Sequence, residues 1–526
     1  MPHDSGGDVG SMLVTLGEEN GRILLVSKGN SQIGILPRGS YVTVLDNDTH
    51  RKFILRVDES SQINSFSISP MLSDMDLKPL LQDQGVKNLI YAVRIKELPS
   101  REDGLSSYIR PLLEARKSKQ EEIDYVLGKS SGVPVFLGSH YAFDCQVLKD
   151  DDSKSIRINL PDEMFFHQTL ITGATGSGKT AAMKYLAQYF VENLKEPRGP
   201  GAVLAINVKE EDFLYMDKPT IPKSSENRSE WNDLGFEPHG VDSFRVYYPG
   251  KTKPRYSDKV DHDKCEGITI KVENLEPEDL VGIIQNLTMK GAEQIVDIFR
   301  YWKTRIMRDG DTMKDFISYF DDPSKQRQYR VLTLNDDEYE ITMHSGTFNS
   351  LRNSLIAASN FFDAEGAKEL TPEDILERRK LSVIDLSQRQ SLGFGSILLR
   401  NILYRIYNAK SSYASDVPVL ILIDEVHEFY SSSRTREALG AIDAIARKGR
   451  SLGIGVVFSS QNIEDIPAGI SKVVNSRIHF KGYAMKSPGK GIDTEALRPG
   501  FAKVRIYGLN FVDLIKFPLP LGGLYE

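Results

Sequence analysis

A chain of 526 residues is longer than one hydrophobic core usually organises, so two or three domains are expected. Its 40% hydrophobic and 26% charged residues form an ordinary soluble globular composition. The net charge of −7 argues against a surface that coats nucleic acid, while leaving room for positive charge gathered in a ring or cleft. No apolar run approaches the ~18 residues that would span a bilayer, and the opening MPHDSGGDVGSM lacks the basic and apolar regions of a signal peptide. A cytoplasmic protein with no membrane partner is therefore expected. The only cysteines, Cys145 and Cys265, are expected to be reduced and supply no zinc-ligand cluster.

Residues from about 12 to 98 alternate in short β-like runs: Arg22 to Val26, Tyr41 to Leu45, Phe53 to Val57 and Leu89 to Ile95. Asn20-Gly21 and the Asn47-Asp48 region supply turns, so this part reads as a small barrel or sandwich. The charged stretch from Glu114 to Glu122 reads as a solvated linking helix, and Val133 to Leu137 as a strand leading onward. The first domain is placed at residues 1–150, linker included, and the second at 151–526.

From about residue 151 the pattern changes to buried strands alternating with helices, the signature of a parallel sheet covered on both faces. Candidate strands lie at 168–172, 202–208, 382–386, 419–423 and 455–459. Directly after the first comes GATGSGKT, which fits the phosphate-loop pattern G-x-x-x-x-G-K-[ST]. In that reading, backbone amides of Gly173, Ala174, Thr175, Gly176, Ser177, Gly178, Lys179, Thr180 and Ala181 wrap the phosphates. Lys179 reaches the β- and γ-phosphates, and the Thr180 hydroxyl binds Mg²⁺. The segment that follows, Ala181 to Phe190, reads as the helix the motif requires. ATP and Mg²⁺ are the implied ligands. Residues 210–380 read as a largely helical insertion.

A hydrolytic site also needs carboxylates on a second strand, and Val419-Leu420-Ile421-Leu422-Ile423-Asp424-Glu425 offers them: Asp424 for Mg²⁺ and Glu425 to activate water. His427 reads as a metal ligand or as a structural histidine. Gln461 ends the strand from 455 and suits contact with the γ-phosphate or its water. The cluster Arg447-Lys448-Gly449-Arg450 is either a solvated helix end, favoured by the helix dipole, or the source of an arginine reaching a neighbour's ATP.

Four segments carry a family resemblance: GATGSGKT at 173, SVIDLS at 382, LILIDEVHEF at 420 and IARKGRSLGIGVVFSSQ at 445. With them the chain resembles the HerA branch of the HerA/FtsK superfamily of hexameric ATPases. The ending IKFPLPLGG is similar to that family's last strand and tail, here residues 500–526, and the β-rich start to its small barrel. The resemblance implies an α/β fold: a RecA-like P-loop NTPase core with a helical insertion, preceded by an N-terminal β-barrel domain. It further implies a homohexamer that translocates double-stranded DNA, acting with a NurA-like nuclease or another effector in DNA end processing or defence. An ATPase ring that mainly assembles and regulates an antiphage effector is the alternative. By the same resemblance Lys179 and Thr180 fall on the first Walker motif, Asp424 and Glu425 on the second, and Gln461 on the sensor position. Arg450, or else Arg447, falls on the trans-acting arginine. In rings of this type the segment after the second Walker strand can face the channel; here Arg434 and Arg436 would touch DNA phosphates, or else belong to a solvated loop. Relatives often end the second strand with an aspartate and a Gly-Glu pair, where this chain has Asn207-Val208-Lys209-Glu210-Glu211-Asp212.

Overall fold

A computed structural model describes residues 13–28, 36–64, 86–99, 107–128, 131–141, 144–195, 197–222, 224–250, 254–280, 289–359, 362–387, 392–429, 449–462, 466, 472, 474–482 and 496–525. They divide into two compact units, one of 1–161 with 479–518 and the other of 162–478 with 519–526.

The first unit opens with six strands: β1 (Leu13–Glu19), β2 (Arg22–Lys28), β3 (Tyr41–Asp46), β4 (Arg51–Asn64), β5 (Val86–Leu98) and β6 (Glu114–Lys117). They close into a barrel in the order β1-β2-β5-β4-β3-β6, and β6 returns to β1 through Leu13 and Ala115. Alternate residues fill its interior, among them Ile23, Leu25, Val42, Val44, Phe53, Leu55 and Ile90. The β1–β2 hairpin turns on Asn20 and Gly21, both with positive φ (51° and 76°), as a two-residue turn matching strand twist demands. Closure answers the start of the charged 114–122 stretch differently from the expected linking helix. Residues 114–117 form the strand that seals the barrel, with Ala115 inward, and only from Gln120 does helix α1 (Gln120–Leu127) begin. The charges are satisfied locally, because Arg116 forks onto Glu122 at 2.7 and 2.9 Å, while Glu122 also takes the Thr43 hydroxyl at 2.8 Å. Beyond α1 come β7 (Gly132–Tyr141), β8 (Asp144–Val147) and β9 (Arg157–Pro161), with β7 paired to both of the others.

The second unit is built on a sheet whose central strands are parallel. Its first elements are β10 (Thr169–Thr172), helix α2 (Lys179–Glu192), β11 (Ala202–Asn207), α3 (Ser225–Leu234), β12 (Ser243–Pro249) and β13 (Cys265–Thr269). Then follow α4 (Met289–Arg305), α5 (Met313–Phe320), the hairpin β14 (Gln328–Leu332) and β15 (Glu338–Thr342), α6 (Ser345–Ala358), β16 (Lys368–Glu369) and α7 (Pro372–Ile375). The last are β17 (Lys380–Asp385), α8 (Leu392–Ser411), β18 (Val419–Ile423), β19 (Ile454–Ser460) and β20 (Ser476–His479). The strand order is β16-β13-β12-β17-β11-β18-β19-β10-β20. Every residue of β10, β11, β18 and β19 is buried, which is why these strands read as unbroken apolar runs rather than alternating ones.

The 210–380 segment holds helices α3 to α7, and it also contributes β12, β13 and β16 to the sheet and carries the β14–β15 hairpin. An aromatic cluster forms its core: Phe299 and Phe316 meet edge to face at 4.8 Å, and Phe320 stacks on Tyr329 at 5.2 Å. Two late strands, β21 (Phe501–Arg505) and β22 (Leu514–Lys516), belong to the first unit, where β22 pairs with β7.

Gly455 near the start of β19 lets the strand pass tight against the chain before β10, since a Cβ there would stand 2.2 Å from the Phe165 carbonyl oxygen. The obstacle is backbone and has no rotamer to give. Gly455→Ala is accordingly expected to destabilise the fold by roughly 1–3 kcal/mol, seen as a lower urea midpoint at unchanged m-value. An unaltered midpoint would show that β19 tolerates a wider spacing.

Candidate functional site

The phosphate loop leaves β10 at Gly173 and enters α2 at Lys179. Gly176 and Gly178 adopt φ of 76° and 108°, the left-handed region that a side chain would strain, and this lets successive amides turn inward. Gly178 is the residue before the helix, and no side chain caps its first turn. The start of a 14-residue helix is thus presented to the loop, as an anion site requires. Ser177 Oγ is buried there without a hydrogen-bond partner. Lys179 is buried, its ammonium donating to the carbonyls of Gly173 and Ala174. Burial lowers its pKa, while the carboxylates of Glu425 and Asp424 pull it back up. Thr180 lies half-buried in the first turn.

The sheet register assembles the rest. β18 lies between β11 and β19, with Ile423 opposite both Ile206 and Phe458. One step past Ile423, Asp424 is 2% exposed and accepts from the Ser459 hydroxyl at 2.7 Å and from the Glu425 amide at 2.9 Å. Burial raises its pKa, the Ser459 bond opposes, and Glu425 and Asp212 push it further up. Glu425 turns sharply out of the strand with φ of 44°. Its Oε1 takes the ammonium of Lys209 and the Gln461 amide nitrogen, the latter at 3.3 Å, while Oε2 lies 3.3 Å from His427 Nδ1. Burial alone would raise the Glu425 pKa. Lys209, with Lys179 and Gln461, carries it below the usual carboxylate range. Two neighbouring carboxyls are therefore driven apart in acidity, a pattern suited to different tasks.

Lys179, Asp424, Glu425 and Gln461 all lie at the carboxyl ends of adjacent parallel strands or in the loop after one, the edge where open α/β sheets bind ligands. The uncapped helix start, the inward-turned glycines and the unpartnered Ser177 hydroxyl fit a bound triphosphate. The Thr180 hydroxyl and the Asp424 carboxylate are the groups that would hold Mg²⁺, whose charge would also ease the burial of Asp424. Arg450 is elsewhere: it precedes β19 at the strand's opposite end, about 20 Å away for seven strand residues. It is exposed, and its carbonyl accepts from Arg198. Within one chain it does not meet the phosphate loop. Arg447, Arg434 and Arg436 lie outside the described residues.

A second basic stretch, Arg300 to Arg305, offers little to a polyanion. Arg300 is engaged by Asp297 and Glu278, Lys303 by the Leu275 carbonyl, Arg305 by Glu338, and Trp302 is 2% exposed in the core. Two site residues escape motif reading. Ser459 is signalled only by being a hydroxyl in a buried strand, and Lys209 only by following one; that both meet the acids depends on strand neighbours no motif specifies.

Residues 146–406, about half of the chain, match the family model described as "Helicase HerA, central domain", and residues 405–517 match the model for zonular occludens toxin. The DNA double-strand break repair helicase HerA of Saccharolobus solfataricus is 27% identical over 174 residues, 30% of this chain and 35% of that protein. The match thus spans about a third of that relative's length. Among solved structures, VirB4 of Thermoanaerobacter pseudethanolicus aligns at a TM-score of 0.42 and 13% identity, covering 75% of this chain and 97% of that one. The plasmid coupling protein TrwB in complex with ADP and Mg²⁺ aligns at 0.43 and 12%, covering 74% and 94%. The segment that matches the HerA model contains the phosphate loop with β10, β11 and β17 around it. On that match and the site geometry, the chain belongs to the HerA-type P-loop ATPases.

Proposed function

We propose that this chain hydrolyses ATP in a homohexameric ring and uses the energy to move double-stranded DNA, in company with a nuclease or another effector. The observation that carries the reading is the split arrangement of the site. Lys179, Asp424, Glu425 and Gln461 converge on one sheet edge, while Arg450 stands at the other end of β19, a placement that suits reaching a neighbouring copy's nucleotide. Lys179 and the loop amides hold the phosphates, Glu425 takes the proton of the attacking water, and Gln461 steadies that carboxylate. When bound, Mg²⁺ neutralises charge on the β- and γ-oxygens. Among the described residues no helix is long and apolar enough to cross a membrane.

Single-molecule tracking of DNA by the purified chain tests translocation directly, with and without candidate nucleases. DNA-stimulated hydrolysis without movement would instead favour a regulatory platform. Glu425→Gln is expected to bind ATP and turn it over at least ~100-fold more slowly; near-normal turnover removes Glu425 from the chemistry. Arg450→Ala should cost on the order of 10³-fold in rate, about 4 kcal/mol. Mixing it with Lys179→Ala chains should restore part of the activity, since some interfaces then pair an intact arginine with an intact loop. Absence of rescue in verified mixed rings rules out the trans role. DNA is expected to lie against Arg434 and Arg436: changing both to Ala should weaken binding equally across sequences and flatten its salt dependence. An unchanged salt slope moves the DNA path elsewhere.

A further inference from the structure

Lys209 stands just beyond β11, and its placement follows from the sheet. β11 and β18 are parallel neighbours with Ile206 opposite Ile423, so the residues just beyond their ends share one edge about 4.8 Å apart. The Lys209 ammonium meets Glu425 Oε1, the oxygen that Gln461 also contacts. The two partners differ in freedom. The Glu425 side chain is 4% exposed and fixed among its neighbours, whereas the Lys209 side chain is 39% exposed and can swing without desolvation.

The backbone that carries Lys209 is anchored on both sides. Asn207 Nδ2 donates to the Glu210 carbonyl at 2.8 Å and to Asp385 at 2.9 Å, and Glu211 takes the Ser257 amide at 2.6 Å. Farther along, Lys218 accepts from the Gly523 amide at 2.8 Å, holding the turn under the C-terminal tail. A fixed backbone with one mobile cationic side chain has the form of a latch.

A carboxylate gripped by an ammonium is a weaker base, because the cation stabilises its ionised form over the protonated one. Lys209 also lies close enough to Lys179 for the two positive charges to repel. Two ammonium groups directed at one small site are accommodated by anions, and a triphosphate adds its outermost phosphate to the choice. We infer that Lys209 is a latch on Glu425 that exchanges the carboxylate for the γ-phosphate, so that arrival of a triphosphate, and not of a diphosphate, frees the base. The inference rests on the reading of Glu425 as the base that activates water.

The test uses the full chain and binding rather than turnover: calorimetric affinities for Mg²⁺ with ADP and with the non-hydrolysable β,γ-imido analogue of ATP. In Glu425→Gln the ammonium loses its charged partner, so affinity for the analogue should rise about 5-fold or more while ADP affinity stays level. That gain should persist in Lys209→Arg/Glu425→Gln and vanish in Lys209→Met/Glu425→Gln when each is compared with its own Lys209 variant. An equal gain in the Met background, or no gain with Lys209 present, overturns the latch. ADP affinity serves as the control for an intact site. If Lys209→Met loses it, Lys209→Gln is measured in the same way, and loss of ADP binding in both shows Lys209 to be structural and overturns the proposal. The two readings fail separately: wild-type turnover in Glu425→Gln removes the base, while missing coupling between the two positions removes the latch.

Discussion

Parallel pairing of β11, β18, β19 and β10 is the constraint on which the site depends. Parallel strands end together, so each loop that leaves a carboxyl end opens on the same edge, and one-to-one register fixes which residues face each other there. Because Ile423 stands opposite Phe458, Asp424 falls beside Ser459; because it also stands opposite Ile206, Glu425 comes within reach of Lys209. A one-residue slip would turn these side chains to the other face of the sheet. Packing defends the register. The four strands are buried throughout, and Gly455 brings β19 against the Phe165 carbonyl, leaving no slack for a shift.

The electrostatics follow from that placement. Two acids adjacent in sequence are unequal because one points into the strands and the other into a group of cations and amides. Asp424 is pushed up by burial, which the Ser459 hydroxyl and the Glu425 amide only partly offset, and Glu425 is drawn down by Lys209 and its neighbours. Lys179 is poised between burial, which disfavours its charge, and two carboxylates, which favour it. A site of this kind holds strong fields without any excess of charge on the chain, which is how a protein at −7 can still bind a polyanionic nucleotide.

The helix after the phosphate loop links the site to the chain's end. Lys184, wholly buried in α2, donates to the Gly523 carbonyl and lies against the rings of Phe213 and Tyr215. Gln188, one turn on, accepts from the Gly522 amide at 2.9 Å, and Trp231 donates to the Leu519 carbonyl at 2.9 Å. Burial brings the Lys184 pKa down to about 8, against the pull of Asp212 and Asp424. These bonds make residues 519–525 part of the packing of the second unit, beside the same 209–218 turn that carries Lys209.

Much of this was legible in order along the chain. The phosphate loop, the buried strands at 169–172, 202–207, 380–385, 419–423 and 454–460, the Asp-Glu pair and the barrel hairpins are local patterns, since glycine torsions, apolar runs and turn chemistry are set by adjacent residues. What could not be read was anything that depends on which strands become neighbours. That 114–117 closes a barrel, that β12, β13 and β16 from the insertion extend the central sheet, and that Arg300 to Arg305 is spent on internal partners are outcomes of pairing across many residues. Lys209 shows the division most sharply. The sequence alone determined a lysine just after a buried strand. Only the tertiary structure decided that this strand lies beside the one bearing Glu425, because the pairing of β11 with β18 comes from burying two apolar faces together and leaves no mark in either segment by itself.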